Sequence, residues 1–273
     1  MIEESQLVTV TDLMIYPIKS CAGIAVEQLM FDDIGPRHDR RYMVVQPDGR
    51  FLTQRQLPIM SKIVPELVID GLVLTLVGQD EVGSCVVLQP DQTEWLDTQV
   101  WKDKVRGLDC GDQVADWLEL VLGRPARLVF MPDDVVRPVD PEFARSTDRV
   151  GFADGFPLLV THQASADFLS EQLGRRLEMA RFRPNVVVSG GLAFDELNWR
   201  YLEDESGSSL HLVKPCTRCV IPLRNLDSLE REDDVTELLS AHCRIGKKII
   251  FGQNALLREG QSINLGSCWR VSS

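Results

Sequence analysis

Short runs in which apolar and polar residues alternate fill most of the first hundred positions. Residues 7–15 (LVTVTDLMI) are rich in β-branched and apolar side chains and predict a first strand. The turn sequence Pro47-Asp48-Gly49 predicts a hairpin that joins residues 42–45 to residues 50–54. A second hairpin is predicted around Asp70-Gly71. The first hundred residues are therefore expected to form mainly antiparallel sheet.

Three later segments carry apolar residues at the three- and four-residue spacing of a helix. The predicted helices cover residues 112–122, a stretch from a cap at Thr161 or Ser165 to Leu173, and about 233–243. Asp112 is expected to cap the first of them, and Gly123 to end it. Many short strands with about three helices indicate an α+β protein whose sheet curls into a barrel.

The change of pattern near residue 130 predicts two domains. Residues 1–130 are expected to form an antiparallel, β-rich N-terminal domain whose first strands can complete the later barrel. Residues 131–273 are expected to form a β-barrel with a few peripheral helices. At the border, residues 131–150 hold four Asp, three Arg and three Pro without any period, which predicts an irregular loop with a surface or lid role.

Composition and net charge exclude some classes of function for this protein. The 273 residues are 44% hydrophobic and 26% charged, as in an ordinary globular protein. The net charge of −12 argues against general binding to nucleic acid or an anionic membrane, because both favour clustered Lys and Arg. There is no run of 18 apolar residues, and the acidic N-terminus lacks the pattern of a signal or transit peptide. We therefore expect a cytoplasmic protein with seven reduced cysteines.

The segment Cys216-Thr217-Arg218-Cys219 is the strongest candidate for chemistry. A thiolate is a soft metal ligand, and beside cations it is also a nucleophile. Structural zinc is disfavoured because it needs four ligands and the other five cysteines are single. A thioredoxin-like pair is disfavoured because the following residues, Val220-Ile221-Pro222-Leu223, look extended. A metal ligand of another kind, a thiol paired with a histidine, and an inert buried pair stay open.

Cations beside predicted strand ends suggest a site for an anionic ligand. Lys19 and Ser20 follow the first strand, where side chains and free backbone N–H groups can meet a ligand. The full set of such cations is Lys19, Arg41, Arg55, Arg183 and Arg218. Each of them alone is expected at the surface, but their common position makes a joint anion site worth testing.

Seven short segments together resemble a known family. They are Tyr16-Pro17-Ile18-Lys19-Ser20, Arg41-Tyr42, Thr53-Gln54-Arg55-Gln56, Asp154-Gly155-Phe156-Pro157, Phe182-Arg183-Pro184-Asn185, Cys216-Thr217-Arg218-Cys219 and Phe251-Gly252-Gln253. In this order they resemble MOSC-domain proteins, especially the branch with the mitochondrial amidoxime reducing component and its bacterial relatives. The resemblance covers about residues 8–271. It implies a MOSC N-terminal-like domain over residues 1–130 and a MOSC domain over residues 131–273.

The resemblance also implies a molybdenum cofactor, in which molybdopterin holds molybdenum through its dithiolene. Cys219 matches the protein ligand to the metal, and Cys216 matches a neighbouring cysteine that is not a ligand. Asp154 matches a residue near the cofactor, and it is expected to act in catalysis with Cys219. The residues that match positions binding the pterin or its phosphate are Lys19, Ser20, Arg41, Arg183, Asn185, Thr217 and Arg218.

The implied activity is a reductase that removes oxygen from N-hydroxylated compounds (N–OH to N–H), with the metal cycling between Mo(IV) and Mo(VI). We expect no N-terminal anchor like that of the mitochondrial relatives, and the cysteines do not have the spacing of an appended [2Fe–2S] domain. We therefore expect a separate electron donor of ferredoxin, flavodoxin or cytochrome type, a small N-hydroxylated substrate, and neither nucleic acid nor membrane as partner. Two alternatives stay open: a sulfur carrier with a persulfide on Cys219, and a non-catalytic module that binds the cofactor.

Overall fold

The computed structural model describes residues 6–90 and 94–273. In these residues the strands are β1 (Leu7–Ile15), β2 (Ile24–Ala25), β3 (Gln28–Asp32), β4 (Gly35–Pro36), β5 (Tyr42–Val45), β6 (Ile63–Val68), β7 (Gly71–Leu76), β8 (Cys85–Leu88), β9 (Trp95–Val100), β10 (Asp103–Asp109), β11 (Arg127–Phe130), β12 (Leu158–His162), β13 (Val186–Ser189), β14 (Tyr201–Asp204), β15 (Ser209–Thr217), β16 (Arg244–Ile245), β17 (Lys248–Glu259), β18 (Ser262–Asn264) and β19 (Cys268–Ser272). The α-helices are α1 (Asp112–Leu122), α2 (Gln163–Leu173) and α3 (Asp233–His242). Short 3-10 helices cover Pro58–Lys62, Asp80–Val82, Met179–Phe182, Asp195–Asn198 and Ile221–Leu223.

Seven strands close into a barrel. Their order is β12-β13-β1-β19-β14-β15-β17, and β17 pairs back onto β12. The pairs are antiparallel apart from β12 and β13, which run parallel. The predicted α+β class with a curled antiparallel sheet is therefore confirmed.

The apolar pattern of β1 sets its place in the barrel. Val8 and Val10 are buried, and the buried positions then move to Leu13 and Ile15. This change of phase accompanies a shift of register against β13 between Val10 and Asp12, as in a β-bulge. β1 lies between β13 and β19, so the first strand of the chain completes a barrel that the second half builds. The exact domain border near residue 130 stays a prediction.

The rest of the N-terminal half forms smaller antiparallel sheets, β5-β11-β10-β9 and β6-β7-β8. α1 packs on them, and Leu118 shares a buried cluster with Leu74 of β7 and Leu128 of β11. Gly123 ends α1 with a φ of 66°, as predicted. Asp112 is the first helical residue and not the cap, a position that Gly111 occupies.

The start of α2 also differs from the prediction. His162 is the cap, and its Nδ1 accepts a hydrogen bond from the Ala164 N–H at 3.0 Å. Thr161 lies inside β12, and Ser165 lies inside the helix. An imidazole nitrogen can accept this bond as a hydroxyl oxygen would. The prediction considered only the usual capping residues, and it therefore placed the start of α2 at the wrong residue.

Two further segments differ from the predicted extended chain. The strand expected over residues 50–54 is represented by an isolated bridge between Val45 and Phe51. The residues after Cys219 form the 3-10 helix Ile221–Leu223, because a proline fits the first turn of a helix. Residues 131–150 are irregular, as expected. Among the described residues, no helix combines the length and apolarity needed to cross a membrane.

Candidate functional site: a cation-lined cavity at Cys219

A cavity of about 780 Å³ receives side chains from both halves of the chain. Lys19, Arg55 and Trp101 come from the first half, and residues 214–219 come from the second. Nine Lys or Arg residues and three Asp residues line it, whereas the whole chain has 29 Lys and Arg against 41 Asp and Glu. An acidic protein that gathers cations at one cavity has the electrostatic pattern of a site for an anionic ligand.

Most of the predicted site residues lie together at this cavity. Those that line it are Lys19, Ser20, Asp154, Arg183, Asn185, Thr217, Arg218 and Cys219. They reach it from element ends: two follow β1, one precedes β12, two precede β13, and three lie at or after the end of β15. Their roles toward a cofactor stay predictions, but their proximity is a feature of the fold.

Arg41 does not line the cavity, which corrects its expected place. Its guanidinium donates to the Met131 carbonyl oxygen at 3.0 and 2.6 Å and to Asp133 Oδ1 at 2.6 Å. The neighbouring Arg40 lines the cavity instead. Arg40 has a φ of 48°, so the chain reverses there and turns Arg41 toward a different partner.

A chain of polar contacts links the buried cation of Lys19 to the exposed thiol of Cys219. Lys19 Nζ donates to Asp154 Oδ1 at 2.5 Å and to the Phe152 carbonyl oxygen at 2.7 Å. Arg55 donates to Asp154 Oδ2 at 3.1 Å, and its Nε donates to Cys219 Sγ at 3.3 Å. Asp154 therefore orients Arg55, and Arg55 in turn fixes the direction from which Cys219 is approached.

The charges of this network follow from burial and pairing. Burial lowers the pKa of Lys19, and the contact with Asp154 opposes that effect. Burial alone would raise the pKa of Asp154, but Lys19 and Arg55 outweigh it and hold that pKa well below its usual range. Burial lowers the pKa of Arg183 to about 10. At neutral pH, Asp154 is therefore an anionic anchor for two cations and a poor proton donor.

Non-glycine residues with a positive φ concentrate at the cavity. Ser20 (71°), Arg40 (48°), Trp101 (54°) and Arg183 (55°) all line it. Side chains disfavour this conformation, so surrounding contacts must hold it in place. Arg183 donates to a backbone carbonyl oxygen at 2.6 Å. Backbone strain of this kind is a common property of functional sites.

Comparison with known proteins identifies the family. Residues 7–125 match the family model "MOSC N-terminal beta barrel domain", and residues 147–267 match "MOSC domain". Mitochondrial amidoxime-reducing component 1 of Mus musculus is 32% identical over 96% of this chain and 81% of its own. The chain belongs to the MOSC-domain family.

Other relatives of this MOSC-domain protein carry two kinds of name. Mitochondrial amidoxime reducing component 2 of Bos taurus is 29% identical over 92% of this chain and 77% of its own. Molybdenum cofactor sulfurase of Bos taurus is 28% identical over 89% of this chain but only 29% of its own length. The crystal structure of the YUAD protein from Bacillus subtilis aligns with a TM-score of 0.45 at 11% identity, over 98% of this chain and 97% of that one. The names point to chemistry related to the molybdenum cofactor.

The two thiols of this MOSC-domain protein differ in their surroundings. Cys216 lies within β15, is half-buried, and accepts a hydrogen bond from Arg218 at 3.1 Å. Cys219 lies beyond the end of β15 and is exposed. Arg218 also donates to the Phe182 carbonyl oxygen at 2.7 Å, which fixes its guanidinium beside Cys216. Both thiols line the cavity, and Cys219 is the more exposed of the two.

Trp101 is a site residue that sequence reasoning missed. Its Nε1 donates to Asp154 Oδ1 at 3.3 Å, and the Arg55 guanidinium lies 4.8 Å from its ring centre. Phe51 packs edge-on against the same ring at 5.2 Å. Trp101 lies between β9 and β10, and a tryptophan in a short hairpin turn carries no sequence signal for a distant site.

In the described part of the chain, no group of three or more His, Cys, Asp and Glu side chains is placed to hold a metal ion.

Proposed function

We propose that this MOSC-domain protein is a molybdenum-cofactor-dependent reductase of N-hydroxylated compounds. The observation that carries the proposal is an exposed thiol, Cys219, at the wall of a large cavity where cations outnumber acids. The names of the relatives support the same chemistry, since they include amidoxime-reducing components and a molybdenum cofactor sulfurase.

The residues at the cavity fit this cofactor. Molybdopterin carries a phosphate, which cations and backbone N–H groups bind well, and its metal is thiophilic. Among the described residues, Gln54 Nε2 and Arg218 Nε are buried without a hydrogen-bond partner, and both side chains line the cavity. Unpartnered buried donors are costly to the fold and are explained where a ligand accepts from them. The cavity volume of about 780 Å³ is also within the range of ligand sites.

Each residue has a proposed role toward the cofactor. Cys219 would supply the protein thiolate to the metal, while Lys19, Arg183 and Arg218 would neutralise its anionic groups. The hydroxyls of Ser20 and Thr217 would add hydrogen bonds. When bound, the cofactor supplies the two-electron chemistry by which N–OH becomes N–H and water, with two electrons from a separate donor protein and two protons.

The surrounding side chains would position these groups. Asp154 holds Lys19 and Arg55 in place through the contacts described above, and it is proposed to act through them. Asn185 donates to Asp39 at 3.1 Å and accepts from Arg40 at 3.1 Å, so its amide would fix the cavity-lining Arg40. The donor's identity and the expected cytoplasmic location stay predictions.

A sulfur carrier is the second candidate. The exposure of Cys219 and the name of the sulfurase relative favour it, because a persulfide must be reachable by an acceptor. Under this proposal Cys219 would carry a labile extra sulfur and the protein would hold no molybdenum. Cysteine persulfides are reversible, so mass spectrometry before and after reduction detects them.

Elemental and mass analysis of the purified wild-type protein separates the candidates. The reductase proposal predicts about one molybdenum and one pterin per chain, and reduction of an amidoxime when a chemical electron donor is supplied. A fully loaded protein that reduces no N-hydroxylated base would contradict the reductase. A labile sulfur without molybdenum would establish the carrier in its place.

A further inference from the structure

A second pocket, of about 370 Å³, opens beside Cys219 on the side of α3. It shares Arg55, Arg218 and Cys219 with the cation-lined cavity. The thiol therefore stands at the junction of two spaces. A group held at the thiol by the larger cavity would face the smaller one, which we name the α3 pocket.

The α3 pocket differs from the cavity in its chemistry. Apart from the three shared residues, it is lined by Val220, Leu223, Thr236, Leu239, Ser240 and Ile249. These side chains are apolar or carry a hydroxyl. The lining runs from the surface to the core, since Val220 is 41% exposed and Leu239 is 1% exposed. A lining that is uncharged away from the two shared arginines, and open at one end, is typical of a pocket for the apolar part of a small ligand.

We propose that the α3 pocket binds the apolar body of an uncharged N-hydroxylated substrate and so selects for aryl and short branched alkyl compounds. The inference rests on the proposed reductase function. The pocket volume is at the small end for ligand sites, and it is large enough for a substituted aromatic ring. With the ring against Leu239 and Ile249, the N–OH group would extend toward Cys219.

The two shared arginines add a charge preference. Arg55 and Arg218 lie where the pocket meets the thiol, so that a cationic ligand is disfavoured there by like-charge repulsion. Loss of the hydroxyl makes the nitrogen base stronger, and the product takes up a proton at neutral pH. The pocket would therefore accept the neutral substrate and favour release of the cationic product.

A variant in which a larger side chain fills the α3 pocket tests the inference directly. Thr236 and Ser240 are one helical turn apart on α3, and both are half-buried at the pocket. The experiment measures binding of 4-fluorobenzamidoxime to the cofactor-loaded protein by fluorine NMR. In Ser240→Trp we expect the dissociation constant to rise about tenfold, because the indole takes the place of the ring. Ala241→Trp, at an exposed neighbouring position, should leave it within about twofold of wild type.

Kinetics with a small substrate complete the test. Ser240→Trp should raise the KM for 4-fluorobenzamidoxime by a larger factor than the KM for acetamidoxime, because the methyl group of acetamidoxime occupies less of the pocket. Thr236→Phe serves as the second filling variant if Ser240→Trp does not fold. Unchanged binding of the aryl compound in a folded filling variant, or an equal loss for both compounds, would overturn the pocket assignment. If the wild-type protein reduces neither compound, the proposed reductase function fails. The fluorine NMR measurements still show whether the α3 pocket binds the aryl compound.

Discussion

Two carboxylates near opposite ends of the barrel strand β12 have opposite surroundings. Asp154, before the strand, contacts Lys19 and Arg55, and its pKa is held well below the usual range. Glu196 lies beyond the other end, fully buried, and the Ser165 hydroxyl reaches its two oxygens at 3.1 and 3.0 Å. Burial raises the pKa of Glu196 to about 7. The partly exposed carboxylate thus has two cations, and the buried one has a hydroxyl.

The difference between the surroundings of Asp154 and Glu196 shows where this protein places its cations. Some cations do pair with buried acids, as Arg40 does with Asp39 and Arg127 with Asp109, whereas the buried Glu196 accepts from a hydroxyl. At the cavity the balance is different, because nine Lys or Arg residues line it with only three Asp residues. Local departures from the most stable arrangement are expected at functional sites. The charge distribution therefore supports the assignment of the cavity as an anion-binding site.

The largest expected effect concerns Glu196 and pH. Its pKa is raised on folding from 4.5 to about 7, so the folded protein binds the extra proton in that window. The stability from this group is fully present below pH 4.5 and is lost as pH rises to about 7, a fall of about 3 kcal/mol. Glu196→Gln should remove this component, so that urea unfolding of wild type and variant diverges across the window. Parallel stability curves would contradict the assigned burial of an ionisable carboxyl.

The next effect separates ligand binding from folding at Lys19. Lys19→Met should reduce molybdenum content about tenfold, because a charge-assisted contact to the cofactor is lost. Stability should change by less than about 1 kcal/mol, since burial already disfavours the charge and Arg55 still pairs with Asp154. Metal analysis and urea unfolding measure the two quantities. Lys104→Met, an exposed control outside the cavity, should change neither.

The smallest effect is expected at Trp101. Trp101→Ala should lower the unfolding free energy by about 1 kcal/mol, from the lost contacts with Phe51 and Arg55. The kcat/KM for an amidoxime should fall a few-fold as Arg55 loses one of its supports. Trp101→Phe keeps the ring and loses the bond to Asp154, so its effects should be smaller. Activity unchanged in Trp101→Ala would show that the ring does not support the site.

The local chemistry of the site was largely predictable from the sequence. The cysteine segment and the cations beside strand ends were visible because thiols and clustered cations have few structural uses. Lys19 and Arg183 lie at the cavity because strand ends bring side chains to one edge of a barrel. The α+β class was also predictable, since strand and helix periodicities are local properties of the chain.

The features that were missed depend on long-range geometry. The first strands were expected to complete the later barrel, but the partners of β1, which are β13 and β19, were not predicted, because they lie more than 170 positions along the chain, as in the pairing of Leu13 with Val186. Arg40 lines the cavity in place of Arg41 because the backbone has a positive φ at Arg40. Trp101 reaches the cavity from the turn between β9 and β10, which belong to another sheet. Periodicity describes neither backbone reversals nor the packing of distant elements, so these residues could be found only in the folded protein.

The molybdenum content of two single variants tests the central claim most directly. Cys219→Ser and Cys216→Ser replace thiols three residues apart by the same hydroxyl, and both proteins are purified and analysed beside wild type. We predict that Cys219→Ser retains less than about a tenth of the wild-type molybdenum, because its thiolate is the proposed protein ligand. Cys216→Ser should retain most of it. Full molybdenum in Cys219→Ser, or equal loss in both variants, would contradict the account.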